Sequence, residues 1–502
     1  MYGTPYRWPL RCYLIHERHS SIQHKALETA WFRGFFMHHR YMSLALELAR
    51  KGAPDAYPNP LVGAVLVLQG EVIGTGYHAR YGGPHAEIVA IEDAYQRGYR
   101  DLSQATLYVT LEPCCHYGKT PPCTERIIKE RIGQVVIGTK DPCPLVCGKG
   151  IKALREGHIP LHVGVLEDQC RRLNPFFFTL HEKGRPYGLL KMACSQDGKI
   201  GWSSKNEDPP RDVPPNNRGG THHDKGEPQS SSVIEPSRQS GTPWISGEAS
   251  HHDVHRLRAH YQAILCGIGT VLADDPLLTT RLYPGKNPLR VIVDSQLRIP
   301  LASRIVQSAD QVPTIVATCV SPEDPKARAL QERGIRVLCL PPMAQPQPHP
   351  TSVPEQHPGA PKGDQEFTEQ SKNPGTSLQR VDLRELALYL GKEGITSLLI
   401  EGGRRIAASA LTAGIVDRVR LYVAPFCIAD PAAPSLPHPG RGTPHEGALP
   451  LSLPFPASRA VSLCPEGPLS ALLSRLTNIT LSPCGEDIII EGDLCSPVSF
   501  KR

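Results

Sequence analysis

The sequence predicts an α/β protein of two domains. The first is a three-layer sandwich built around a metal motif, and insertions without a core interrupt the second. Three observations lead there. Apolar residues at helical spacing alternate with short β-rich apolar runs along most of the chain, the pattern of helices layered on a sheet. His85, Cys114 and Cys123 supply one imidazole and two thiolates, which can hold Zn²⁺ and leave a fourth tetrahedral position for water. The 50 prolines and 44 glycines among 502 residues are prominent in three stretches, about 203–241, 341–379 and 428–460. Their composition reads as disordered insertion.

Composition narrows the function. Lys plus Arg is 55 and Asp plus Glu 49, a formal net charge of +6. That balance is too mild to argue for nucleic acid and fits a protein handling a phosphorylated small molecule. No apolar run approaches the ~20 residues of a membrane span. Fifteen cysteines follow no secretory signal, and several fall in the metal motif, so a reducing, cytoplasmic setting is expected. Oligomeric state is left open, a homo-oligomer included.

Residues 1–36 read as an N-terminal extension, either real or the product of a misassigned start. Met42 to Arg50 has helical apolar spacing. Pro58-Asn59-Pro60 ends any helix, Leu61 to Leu68 reads as a strand, Gln69-Gly70 as a hairpin turn, and Glu71 to Tyr77 as the returning strand. Asn59, just before the first strand, is placed to meet a substrate ring or merely to turn the chain. His85 to Tyr95 reads as a helix behind Pro84, with His85 and Glu87 in its first turn. Ala105 to Leu111 is a short strand delivering Cys114. Pro121-Pro122 opens a helix through Arg131, with Cys123 at its start, where the macrodipole favours a thiolate. Gln134 to Thr139 is the next strand, and strand–helix alternation continues from Gly148 to Cys170.

Glu87 gives the metal motif its chemistry. Two residues after His85, its carboxylate can reach a metal-activated water without ligating the metal. A zinc deaminase needs this set: a metal to make hydroxide near neutral pH and a carboxylate to shuttle its proton. The general deaminase signature pairs H-x-E with P-C-x-x-C. Here the second cysteine, Cys123, follows Cys114 by nine residues. That expanded run, T-L-E-P-C-x-H-x-G-x-T-P-P-C, together with Pro58-Asn59-Pro60-x-Val62-Gly63, resembles the deaminase half of the bifunctional riboflavin-biosynthesis deaminase–reductase family. The resemblance implies a cytidine-deaminase-like domain over 37–186 and an Asn59 that lines its substrate pocket. Cys115 is the rival ligand, but the family carries a small polar residue there, which favours Cys114. His116, Lys119 and Thr120 form a polar loop between the ligands, either a substrate-phosphate contact or plain solvated surface. Cys143 stands where the family has Asn, which puts a substrate contact there in doubt.

The second half carries its own run of motifs. Leu189 to Met192 reads as a strand entering K-M-A-C-S-Q-D-G, close to the family's K-x-A-x-S-L-D-G. Ser250 to Arg258 is helical, Ala263 to Cys266 and Leu289 to Asp294 are strands, and G-I-G-T-V-L-A-D-D-P-L-L-T-T-R from Gly267 to Arg281 resembles the reductase half. Leu383 to Leu390 is a helix and Ser397 to Ile400 a strand. The strand runs into Glu401-Gly402-Gly403 and a helix, a phosphate-binding geometry or an ordinary turn with solvated arginines. Its match to the family's E-G-G-x-x-L-A favours the former. Val419 to Ala424 and Asp487 to Glu491 read as closing strands. The resemblance covers most of 37–200, 242–340 and 380–426 and is thin afterwards; the C-terminal part departs most, notably at Phe426 and Cys427.

The resemblance therefore implies a dihydrofolate-reductase-like α/β domain over 187–498 that uses NADPH, with Zn²⁺ in the first domain. It implies cofactor contacts at Ala193, Trp244, Thr270, Asp274, Ser295, Gly403, Arg404, Arg405, Ile406, Ala407, Ala408 and Ser409. It implies substrate contacts at Thr242, Arg258, Leu278, Arg281 and Glu401. The expected reactions are hydrolytic deamination of the phosphoribosylamino-pyrimidine, then reduction of its ribosyl to the ribityl chain. Two alternatives stay open. One is a deaminase of another nucleobase or nucleotide with a C-terminal binding module, which would call for a basic, aromatic-lined groove. The other is a non-catalytic zinc scaffold, which would have no use for Glu87.

Overall fold

The computed structural model describes residues 21–53, 55–118, 121–200, 245–342, 379–425 and 468–495. The insertions expected at 203–241 and 428–460, and nearly all of 341–379, lie outside the described residues. So do Lys119, Thr120, Thr242, Trp244, Phe426 and Cys427. The chain forms two compact units, Met1–Glu182 and Lys183–Arg502.

The first unit runs α1 (Ser21–Arg50), β1 (Gly63–Leu68), β2 (Glu71–Tyr77), α2 (Ala86–Gln96), β3 (Thr106–Leu111), α3 (Cys123–Lys129), β4 (Gln134–Thr139), α4 (Lys149–Glu156), β5 (Leu161–Val163), α5 (Glu167–Leu173) and α6 (Pro175–Lys183). Its sheet has the order β2-β1-β3-β4-β5. β1 is antiparallel to β2 and β3, and β3, β4 and β5 are parallel. Successive strand residues point to opposite faces, and both faces here are apolar. Leu66, Leu107, Val135 and Ile137 pack with Ile91 of α2, Ile127 of α3 and Leu154 of α4. Val65, Val67, Tyr108 and Val136 pack with Met42 and Leu46 of α1 and Cys170 of α5. Helices thus cover the sheet on both sides, giving the three layers expected.

Local differences from the sequence reading have local causes. α1 extends back to Ser21, through residues read as an extension; this stretch lacks proline and includes good helix formers such as Ala26, Leu27 and Ala30. α3 ends at Lys129 rather than Arg131, because Arg131 turns left-handed (φ 51°). The Arg131 N–H then bonds the Ile128 carbonyl and the Ile132 N–H the Ile127 carbonyl, a Schellman stop. His85 is not in the first helical turn but caps α2 with extended backbone.

The second unit runs β6 (Tyr187–Ser195), α7 (Glu248–His260), β7 (Ala263–Gly267), α8 (Ile268–Asp274), β8 (Leu289–Val293), α9 (Arg304–Gln307), β9 (Thr314–Thr318), α10 (Pro325–Gln331), β10 (Arg336–Cys339), α11 (Leu383–Lys392), β11 (Ser397–Glu401), α12 (Arg404–Thr412), β12 (Arg418–Ala424), α13 (Pro468–Leu473), β13 (Leu476–Cys484) and β14 (Asp487–Leu494). The sheet order is β10-β9-β8-β7-β11-β6-β12-β14-β13. β10 through β12 are mutually parallel, and β14 and β13 close the sheet antiparallel. The chain leaves β7 in one direction for β8, β9 and β10, while β11 inserts between β7 and β6. That reversal makes a topological switch point at the carboxyl ends of β11 and β7, the kind of place where ligands of open α/β sheets bind. β13 has no counterpart in the sequence reading. It is an edge strand, mostly exposed, and its Pro483 is tolerated there because an edge residue need not donate to a ladder.

Candidate active site

The first unit gathers a metal site from three elements. β2 and α2 touch closely: a Cβ on Gly76 would lie 2.2 Å from the Ala86 carbonyl oxygen. Only glycine allows that approach, and it seats the start of α2, with His85 and Glu87, against the sheet. β3 ends in Glu112-Pro113-Cys114, and α3 begins at Cys123. The Cys123 N–H donates to Cys114 Sγ at 3.3 Å, and the Thr124 N–H to the Cys114 carbonyl at 3.2 Å. One ligand atom from each of His85, Cys114 and Cys123 lies within 4.8 Å of the others. His85 Nδ1 is 3.2 Å from Cys123 Sγ and 3.4 Å from Cys114 Sγ. A nitrogen and two sulfurs at this spacing suit zinc. Cys115 is not in the cluster.

The electrostatics of the cluster are strongly perturbed. Glu87 is 3% exposed; burial, and then the charge of Cys114, push its carboxyl up to about 7. The hydrogen bond from the Cys123 thiol leads in drawing the Cys114 thiol down to about 4, against the opposing effect of burial. The same bond pushes the Cys123 thiol up. Burial raises Asp141 to about 6, opposed by the Cys143 N–H and reinforced by the charges of Glu112 and Cys114.

Asn59 is joined to the cluster through a residue that sequence reasoning missed. His78 Nδ1 lies 3.0 Å from the Pro84 carbonyl, so that nitrogen carries the proton. Its Nε2 then accepts from Asn59 Nδ2 at 3.1 Å. The His78 ring meets the His85 ring edge-on, centroids 5.4 Å apart. No motif marks His78; its role depends on the β2 end folding back over Pro84.

The second unit brings several of its expected residues together at this switch point. Parallel register sets Glu401 opposite Lys191 and Ile400 opposite Leu265. Arg258 of α7 grips Glu401 bidentately, Nε to Oε1 and Nη2 to Oε2, both at 2.9 Å. Its Nη1 donates to the Thr279 carbonyl at 3.2 Å, and Arg281 donates to Thr279 Oγ1 at 3.1 Å. Burial works to raise the Glu401 carboxyl, but Arg258 and then Lys191 outweigh it and hold the carboxyl below the usual range. His255, one turn before Arg258, accepts the Leu282 N–H at Nδ1. Burial, and the charges of Arg258 and Arg281, lower it to about 4. Lys191 and His255 are further residues not singled out from sequence.

The expected cofactor segments also meet. Gly402 has φ 150°, and a Cβ there would lie 2.7 Å from Ile406 Cγ2 and 3.3 Å from Thr270 Oγ1. Nothing lies within 4 Å of a Cβ placed on Gly403 or Gly269. Two helix starts, α8 and α12, thus present open backbone beside each other, a cradle that fits a dinucleotide phosphate. Arg404 and Arg405 are exposed next to it, whereas the Ile406 and Ala407 side chains are buried in the core. The Leu278 side chain is likewise core, with its backbone left-handed at φ 54°. These three can meet a ligand only through their main chain. Asp274 is exposed at the end of α8. Ala193 lies on β6 against Tyr422, and Ser295 follows β8, where its Oγ accepts the Val381 N–H at 3.1 Å. Among the described residues, no helix is long and apolar enough to cross a membrane.

Comparison with known proteins divides along the same lines. The family described as the cytidine and deoxycytidylate deaminase zinc-binding region matches residues 37–139, and the RibD C-terminal domain family matches 236–443. The chain is 38% identical over 385 residues to the riboflavin biosynthesis protein RibD of Actinobacillus pleuropneumoniae, covering 77% of this chain and 83% of that one. It is 36% identical to the RibD of Aquifex aeolicus, covering 77% and 86%. Among solved structures, RibD of Acinetobacter baumannii aligns at 26% identity and TM-score 0.60, over 92% of this chain and all of that one. The Thermotoga maritima diaminohydroxyphosphoribosylaminopyrimidine deaminase/5-amino-6-(5-phosphoribosylamino)uracil reductase aligns at 28% and 0.59, with the same coverage.

Proposed function

The chain belongs to the RibD family of riboflavin-biosynthesis proteins, and from that premise we propose which of its residues carry the two reactions. It is a bifunctional enzyme. A cytidine-deaminase-like domain deaminates 2,5-diamino-6-(5-phosphoribosylamino)pyrimidin-4-one, and a dihydrofolate-reductase-like domain then reduces the ribosyl to the ribityl chain with NADPH. The boundary we propose, 186/187, is supported by the division of the chain into compact units near that point.

The observation that carries the residue assignment is the convergence of His85, Cys114 and Cys123 beside a buried Glu87. These three residues would hold zinc, and zinc, when bound, supplies Lewis-acid activation of the attacking water. Glu87 would take a proton from the attacking water and deliver it to the departing amine, general acid–base work for a buried carboxyl beside the three ligands. Asn59, with its amide nitrogen committed to His78, turns its carbonyl oxygen to the pyrimidine. In the second domain the Gly402–Gly403 turn and Thr270 cradle the cofactor phosphates through main-chain N–H groups. Arg404 and Arg405 meet the extra phosphate of NADPH, and Ala193, Asp274, Ser295, Ile406, Ala407, Ala408 and Ser409 line the rest. Arg281 takes the substrate phosphate, the natural partner of a guanidinium. Arg258, fixed by Glu401, and the Leu278 main chain hold the ribose end. Thr242 and Trp244 keep their family roles in this reading. Every described cysteine is a free thiol, which supports a reducing, cytoplasmic setting.

The test is direct. Purified protein given the diamino substrate should release ammonia without NADPH and should oxidise NADPH only after that release. Ammonia without subsequent NADPH oxidation would leave a deaminase alone and remove the second assignment.

A further inference from the structure

Glu112 is 3% exposed, yet among the described residues its carboxylate forms no ion pair. It instead receives three main-chain N–H groups of one later segment: Asp141 at 3.2 Å and Gly148 at 3.0 Å on Oε2, and Ile151 at 3.0 Å on Oε1. Its own N–H donates to the Thr139 carbonyl at 2.9 Å. The segment is seated tightly: a Cβ on Gly150 would lie 2.1 Å from the Pro113 carbonyl oxygen and 3.1 Å from Glu112 Oε1. Gly148 turns left-handed (φ 76°) to bring its N–H round. Residues 141–148 are therefore fastened to the Glu112-Pro113-Cys114 turn by one buried side chain. A second tie inside the loop, Cys143 N–H to Asp141 Oδ1 at 2.7 Å, stiffens its start.

We infer that Glu112 is a positioning residue of the deaminase site: it holds the 141–148 loop against the Cys114 turn, so that this loop forms a fixed wall for the pyrimidine substrate. The inference rests on the deaminase reading above. It goes beyond it, because Glu112 neither ligates metal nor reaches substrate, and the wall carries Cys143, where a direct side-chain contact is not expected.

Two experiments on the full-length, zinc-loaded protein test it. In the wild type, amide exchange should show the Asp141, Gly148 and Ile151 N–H groups protected well beyond that of Leu145, the exposed residue at the middle of the loop. Exchange of those three amides as fast as that of Leu145 overturns the inference with no variant at all. This measurement does not depend on the substrate, so it stands even if wild-type deamination fails and sinks the parent reading. Glu112→Gln replaces one acceptor oxygen with a donor facing N–H groups. Deaminase KM should rise roughly 10–100-fold, the scale of a lost hydrogen bond to a charged acceptor. The kcat, the zinc content and NADPH-dependent reduction of supplied deaminated intermediate should stay near wild type. Unchanged KM, or zinc loss in step with activity, refutes the inference. Should Glu112→Gln lose both activities through misfolding, Glu112→Asp keeps the charge and shortens its reach; it should show the same KM-selective defect, smaller, and a wild-type KM there refutes the inference.

Discussion

Glu87→Gln is the sharpest test of the site assignment. The substitution keeps the shape of the side chain and removes the proton carrier. Glu87 is buried, with its carboxyl raised to about 7 by burial and by the neighbouring Cys114, and an amide cannot cycle a proton at any pH. General acid–base catalysis is typically worth ~10²–10⁴-fold, or about 2.7–5.4 kcal/mol of barrier, so deamination should fall by at least the lower figure. Among the described residues the cluster's ligand atoms come from His85, Cys114 and Cys123, so zinc should remain near one per chain. NADPH oxidation should vanish with the diamino substrate, because the intermediate is never made, and return when the deaminated intermediate is supplied. Ammonia release, elemental analysis and NADPH absorbance can be followed on one preparation. Loss of zinc would show that Glu87 is a ligand. Failure to reduce the supplied intermediate would show that the two sites are not independent, and either result ends the assignment.

Other expectations follow from the same geometry. Cys114→Ser should strip zinc while Cys115→Ser retains it, by elemental analysis, since only Cys114 joins the cluster. Gly402→Ala forces a side chain into a left-handed position 2.7 Å from Ile406. At roughly 1–3 kcal/mol of backbone strain, it should weaken NADPH binding in a fluorescence titration while ammonia release persists. Arg281→Ala should leave ammonia release intact and raise the reductase KM. Arg258→Ala removes the bidentate partner of Glu401 from a pair whose side chains are 12% and 11% exposed. Loss of one partner from a buried pair costs about 3–5 kcal/mol, which should appear as an early unfolding transition by calorimetry. The Glu401 carboxyl is depressed in the folded state from an ordinary value of 4.5, so its stabilisation is complete above that value and lost as pH falls through the lower folded one. Glu401→Gln should flatten that part of the acid-unfolding curve.

Much of this protein is legible in the chain itself. His85, Glu87, Cys114 and Cys123 announce zinc chemistry because only a few residue types serve it, and β1 to β4 follow from local apolar periodicity and the Gln69-Gly70 turn. The double glycine before α12 likewise marks a backbone that must approach something closely. Periodicity, however, reports one element at a time. It cannot say that β11 inserts between β7 and β6, yet that order sets Glu401 beside Lys191 and within reach of Arg258, 143 residues away in sequence. Nor does it separate ligand-facing side chains from core ones: Leu278, Ile406 and Ala407 sit in binding motifs but point inward. His78 carries no signature, and the T-L-E-P-C run that contains Glu112 does not say what Glu112 does, because each acts on main-chain atoms that come near only once the sheet has formed. Residue type determined the chemistry this chain can perform, and sheet order and close helix–strand contact decided which groups would stand near enough to perform it.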